Sequence, residues 1–147
     1  MNQETVSSTR RTFRKVAVGE VPVNKHRGGE IRTLLSPANV GATSGFMGLA
    51  KLEPGEFISE HYHPYSEEFV FLLSGSITLR LDGEELELGP REGILIPINV
   101  RHRLDNNGDE PAELLFQLGP LAPRPDLGHV DTEDLPFPEL APAGEPR

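Results

Sequence analysis

Turn formers punctuate residues 13–118 at intervals of about eight to twelve positions, and the apolar runs between them are short. A chain cut this way has no room for helices of three turns. It folds instead as short antiparallel strands in a sandwich or barrel. Phe46–Leu52 ends at Glu53-Pro54-Gly55, and residues 56–63 follow as the next strand. Residues 68–73 run into Ser74-Gly75, after which Ile77, Leu79 and Leu81 alternate with Thr78 and Arg80. Asp82-Gly83 is a two-residue hairpin signal, with Leu86 and Leu88 alternating beyond it. Gly93–Ile96 stops at Pro97; His102, Leu104 and Asn106 alternate up to Asn107-Gly108; residues 112–118 close the series. No segment sustains a 3.6-residue period, so the expected fold is all-β in a single domain.

The ends differ from this middle. Residues 1–12 are polar and Ser/Thr/Arg-rich and read as a flexible arm, residues 13–118 as the barrel, and residues 119–147 as a Pro-rich extended tail. Net charge is −9, which argues against nucleic acid as a partner. No apolar run approaches the ~20 residues of a membrane span, and no apolar leader follows Met1. A cytoplasmic protein without a membrane is therefore expected. Cysteine is absent, so a metal would have to sit on histidine and carboxylate. The basic residues concentrate at the front, where Arg10, Arg11, Arg14 and Lys15 form a basic arm ahead of an acidic body.

Two of the five histidines are His61 and His63. On a strand, side chains at i and i+2 share a face, with Cα atoms ~6.6–6.8 Å apart. Two imidazoles so placed can converge on one ion. Strand alternation also puts Glu68, Val70 and Leu72 on one face, with Glu67, Phe69 and Phe71 on the other. His26, between Lys25 and Arg27, reads as a solvated surface residue.

Around the histidine pair the sequence runs Gly55, five residues, His61-Tyr62-His63, four residues, Glu68, six residues, Gly75. Pro97-Ile98-Asn99, His102 and Asn106 follow at the spacing of a second motif. These resemble the two motifs of the cupin family. Asn99 stands where the family usually has Gly, and so does Arg91. The resemblance implies a double-stranded β-helix, or jelly-roll barrel, in which His61, His63, Glu68 and His102 hold a metal. His129, in the Pro-rich tail, is a further candidate as an extra or replacement ligand. Three imidazoles and one carboxylate suit Zn foremost, and also Fe, Mn or Ni, rather than Ca or Mg.

The runs at residues 27–37, 41–48, 60–68 and 121–133 are similar to one subfamily, the small single-domain cupin cyclases of bacterial aromatic (type II) polyketide biosynthesis, of the spore-pigment and resistomycin type. That resemblance implies intramolecular aldol condensation and aromatisation of a poly-β-keto intermediate, delivered on an acyl carrier protein whose acidity would suit the basic arm. Extending the inward faces from the ligands places Phe57, Ser59, Val70, Leu72 and Leu104 around the substrate. The same ligand set also serves metal-dependent dioxygenases, and a non-enzymatic small-molecule-binding cupin is the third reading. An uncovered sheet edge is a liability that pairing removes, so a homodimer joined through an edge strand is expected.

Overall fold

A computed structural model of the chain describes residues 10–142. Ten strands form two five-stranded antiparallel sheets. The first is ordered β1 (Glu30–Leu35), β2 (Phe46–Leu52), β9 (Ala112–Gly119), β4 (Glu67–Ser74), β7 (Gly93–Ile96). The second is ordered β10 (Val130–Asp131), β3 (Phe57–Tyr62), β8 (His102–Asp105), β5 (Ile77–Leu81), β6 (Glu84–Leu88). This is the all-β architecture expected from the turn spacing, and the jelly roll that the resemblance implies. Helix is confined, among the described residues, to the four-residue α1 (Pro37–Val40) and three short 3₁₀ turns.

Alternation along each strand decides what is inside. Leu52, Val70, Leu72, Ile96 and Leu114 of the first sheet meet Ile58, Ile77, Leu79, Leu88 and Leu104 of the second in one buried cluster. Fully burying each such side chain contributes roughly 1.5–3 kcal/mol. Asn106 is buried as well, and its amide donates to the carbonyls of Leu52 and Glu110, tying the loop after β8 to β2. The Asp82-Gly83 turn closes the β5–β6 hairpin with both residues at positive φ, as a tight hairpin requires.

Two features depart from the sequence reading and a third goes beyond it. Glu30–Leu35 is a strand that no turn pair had marked, an edge strand whose residues are all half-buried. His26 is 2 % exposed rather than solvated, and its carbonyl accepts a hydrogen bond from the Phe137 amide. The tail is extended but lies on the barrel: Val130 and Asp131 pair with Tyr62 and His61, adding a strand to the edge of β3. Side chains fasten it there. Glu133 accepts two hydrogen bonds from Arg103 Nη1 and one from the Glu60 amide, and Thr132 donates to Glu60. Most of the arm expected over residues 1–12 lies outside the described residues.

Arg91 and Asn99, the two residues standing in for glycine, both sit in the left-handed region, at φ 67° and 68°. Asparagine tolerates this; for arginine it costs about 1–2 kcal/mol, against the ~0.5–1 kcal/mol of extra chain entropy that glycine loses on folding. Arg91→Gly is therefore expected to stabilise the protein by about 0.5–1 kcal/mol, read as a rise in the midpoint of urea denaturation at unchanged slope.

Candidate metal centre

β3, β4 and β8 each deliver one side chain of a buried cluster, and the residue after β3 delivers a fourth. His61 stands opposite His102 across the β3–β8 pair. His63 follows the end of β3, and Glu68 projects inward from β4 in line with Val70 and Leu72. One ligand atom from each of His61, His63, Glu68 and His102 falls within 4.8 Å of the other three. The imidazole centroids are 4.2 Å apart for His61 and His102, and 5.0 Å for His61 and His63. Glu68, not Glu67, is the carboxylate of this set.

Each imidazole is held by its far side. Nδ1 of His61 lies 2.7 Å from the Ser59 carbonyl, Nδ1 of His63 lies 2.9 Å from the Gly128 carbonyl, and Nδ1 of His102 lies 2.9 Å from the Val100 carbonyl. A carbonyl only accepts, so each Nδ1 carries a proton and each Nε2 is the ring atom left to face the centre. For His63 and His102 that Nε2 faces Glu68 Oε2, at 3.5 and 2.8 Å. Glu68 Oε2 and His102 Nε2 are nonetheless both buried without a well-aligned hydrogen bond. The two atoms converge on a common point more than on each other. Three imidazole nitrogens and one carboxylate oxygen converge on one buried point, with the outer nitrogens tied to carbonyls, an arrangement that could hold a divalent transition metal.

The electrostatics agree. Burial, reinforced by repulsion from His102, His129 and His63, pushes His61 well below the usual imidazole range. Burial would raise Glu68, but its contacts with His102 and His63 outweigh this and keep it ionised. Burial would likewise lower His102, and the Glu68 carboxylate overcomes it to raise that imidazole.

His129 reaches the centre without joining the converging atoms. Its ring stacks on His61 at 4.3 Å and 14°, while Nε2 lies 2.8 Å from Asp131 Oδ1. Asp131, held ionised against its burial chiefly by His129, accepts that Nε2 proton and also takes Arg27 Nε at 3.3 Å. The expected role as an extra ligand thus gives way to a Arg27–Asp131–His129 chain beside the ligands. Burial pushes His129 down to about 4. A His-x-Asp pair on one strand face was the signal that could have pointed to Asp131.

Of the residues expected around the substrate, Val70, Leu72 and Leu104 line the core directly beneath the ligands, and Ser59 is wholly buried behind His61. Phe57 is not with them. The β3–β8 register shifts between Ile58 and His61, so Ile58, not Phe57, stands opposite Leu104. Phe57 lies opposite Asp105, with the Arg103 guanidinium 3.9 Å over its ring.

A two-sheet jelly roll with this ligand set at one end defines a cupin, and the chain belongs to the cupin family. The cupin-domain family model matches residues 48–117. The protein SchB of Streptomyces halstedii is 57 % identical over 136 residues, covering 92 % of this chain and 97 % of its own. The polyketide synthase protein CurC of Streptomyces cyaneus is 60 % identical over 120 residues, 82 % of this chain and 78 % of its own. Among solved structures, the polyketide cyclase RemF of Streptomyces resistomycificus superposes with a TM-score of 0.68 at 20 % identity, over 86 % of this chain and 90 % of its own, a likeness of fold.

Acidification tests the centre's charges. His61 and His129 have folded values below the unfolded imidazole value, so they contribute stability that is present above about pH 6.5 and lost as pH falls toward their folded values. His102, raised in the fold, works the other way, its contribution fading as pH rises through its folded value. Glu68 and Asp131 add a further loss below about pH 4.5. Metal-stripped protein should therefore lose Tm progressively from pH 6.5 to 4, and His129→Gln should flatten the upper part of that decline in a differential scanning experiment.

Proposed function

We propose that this cupin is a cytoplasmic polyketide cyclase, closing and aromatising a ring of a poly-β-keto intermediate by intramolecular aldol condensation and loss of water. The observation that carries this reading is the buried three-histidine, one-glutamate cluster, in a chain closely similar to a polyketide synthase protein over most of both lengths. Its partners in this reading are the intermediate, an acyl carrier protein that delivers it, and a second copy of the chain.

A divalent metal, zinc in the first instance, held by His61, His63, Glu68 and His102 would supply Lewis-acid polarisation of a ketone, favouring enolate formation and aldol closure. The chain's own residues do the rest. The Ser59, Gly128 and Val100 carbonyls fix the three imidazoles as Nδ1–H tautomers, keeping every Nε2 directed inward. Glu68 brings one negative charge to the set, which favours a cation at the converging point. Val70, Leu72 and Leu104 present an apolar wall beneath the ligands, which excludes water and suits a ring becoming aromatic. Asp131 holds the His129 Nε2 proton, leaving the lone pair of that ring on Nδ1. The basic side chains Arg10, Arg11, Arg14 and Lys15 are exposed, as docking to an acidic carrier would require.

Incubation of carrier-bound poly-β-ketone with the purified protein, with products separated by liquid chromatography and mass spectrometry, tests the reading. Ring-closed, dehydrated product is expected without oxygen uptake. His61→Ala and His102→Ala should each reduce product formation at least about a hundredfold, and each should lose near-stoichiometric metal by inductively coupled plasma mass spectrometry. Oxygen consumption matched to turnover would move the protein to the dioxygenases. Unaltered product from both variants would sink the mechanism.

A further inference from the structure

The connections at the two ends of the barrel carry opposite charge. Away from the ligands, the connections 53–56, 75–76, 89–92 and 106–111 hold Glu53, Glu56, Glu92, Asp109 and Glu110 against Arg91 alone. At the ligand end the balance reverses, although the chain as a whole is at −9. The connections there hold two carboxylates, and both are engaged locally. Asp82 accepts a hydrogen bond from the Arg101 amide, and Asp126 pairs with Arg124. The Arg101 side chain is left exposed, and the arm adds Arg10, Arg11, Arg14 and Lys15, all exposed as well. The arm reaches this end because Arg14 Nη1 donates to the Asn39 carbonyl of α1 at 2.7 Å. α1 precedes β2, whose first residue, Phe46, pairs with Leu118, and Leu118 pairs with Glu68.

The same end also exposes large apolar side chains. Tyr65 is 42 % exposed, Ile98 43 % and Leu127 38 %, each from a different connection. Hydrogen bonds gather those connections around one ligand. The amide of Asn99, next to Ile98, donates to the His63 carbonyl. The carbonyl of Gly128, next to Leu127, accepts from His63 Nδ1. Tyr65 follows His63 by two positions. In the basic arm, Phe13 is 90 % exposed.

We propose that this end of the barrel is the docking surface for an acidic carrier protein, with Tyr65, Ile98 and Leu127 as its apolar contacts and Arg101 and the arm as its cations. The proposal rests on the carrier reading of the function and gives the carrier a surface. Apolar contacts bordered by charge are the ordinary composition of an interface between proteins, and Tyr and Arg are prominent among the residues that carry its binding energy. Opposite charge at the two ends also orients the approach. An anionic partner is drawn to the ligand end and repelled from the other, which raises the rate of productive encounter. A substrate tethered to a partner docked here meets His63, itself 8 % exposed, before the other ligands. Its arrival at the converging atoms is then an intramolecular step, at the effective concentration that the tether sets.

Isothermal titration calorimetry of the purified full chain with an acidic acyl carrier protein that bears no polyketide reads docking apart from catalysis. Binding is expected, and it should weaken about tenfold as salt rises from ~0.01 to ~0.1 M and the Debye length falls from ~30 to ~10 Å. Arg101→Glu combined with Lys15→Glu should weaken it about tenfold or more, and Ile98→Asp likewise. Arg91→Glu, at the opposite end, should leave it unchanged. Heteronuclear magnetic resonance of the unaltered protein needs no variant to fold: carrier-induced shifts should centre on the amides of Ser66, Asn99, Arg101 and Gly128. Shifts centred on Gly55 and Gly108, or binding indifferent to the variants at the ligand end, would overturn this surface and leave the carrier reading standing. No binding by the unaltered protein would remove the carrier and its surface together, and ring closure of a free poly-β-ketone would then decide the cyclase reading separately. Binding to phosphatidylglycerol vesicles in place of the carrier, or self-association that Ile98→Asp abolishes, would give the surface to lipid or to a second copy and overturn the proposal.

Discussion

The centre depends on one irregularity, the register shift in β3 between Ile58 and His61. A regular strand would carry alternation through this stretch, and if His61 faced inward so would Phe57. With the shift, Ile58 and His61 both face inward although they are three positions apart. The lower part of the strand can then pack an isoleucine against Leu104, while the upper part offers imidazoles across from His102. Bulges of this kind concentrate beside active sites because they re-aim a side chain without unpairing the strand. Ser59, inside the irregular stretch, turns its carbonyl to His61 and its amide to the Arg27 carbonyl, so the shift is stabilised at both ends.

Much of this was legible in the sequence because it followed from local rules. Hairpin turns with positive φ, as at Asp82-Gly83, are dictated by a pair of residues, and alternation along β4 and β8 selects Glu68 and His102 for the interior. Glycine's stand-ins could be judged on conformation alone, and both Arg91 and Asn99 adopt the backbone that their positions demand. What could not be read were consequences of distance. Phe57 was placed wrongly because alternation has no way of announcing a bulge. His26 gave no hint of burial, since the segment that bonds to it, through the Phe137 amide, lies more than a hundred residues on. His129 could be suspected near the metal from the tail's flexibility of placement, but its orientation is set by Asp131 and Arg27, which meet only in the folded chain.

The centre also shows how a small barrel keeps charge inside at low cost. Glu68 is the only carboxylate among the four converging groups, and its neighbours are imidazoles that can share or yield a proton. The three Nδ1 protons are given to backbone carbonyls, which are the least titratable acceptors available. No ligand therefore relies on another ionisable side chain for its tautomer. A cation entering such a site displaces no proton from those outer bonds, and it meets a single negative charge already desolvated.

One of the three supporting carbonyls does not belong to the barrel. Gly128, which bonds His63, lies in the tail, beyond the last long strand, and the tail is joined to β3 by only two paired residues and a few side chains. Segments so attached open at a smaller free energy than the strands beneath them. When the tail lifts, His63 loses its tautomeric anchor and the cover over His61 leaves together with it. The lability of any bound ion is then set by fraying at one end of the chain: two homologues with identical ligands and different tails would exchange the same metal on different clocks.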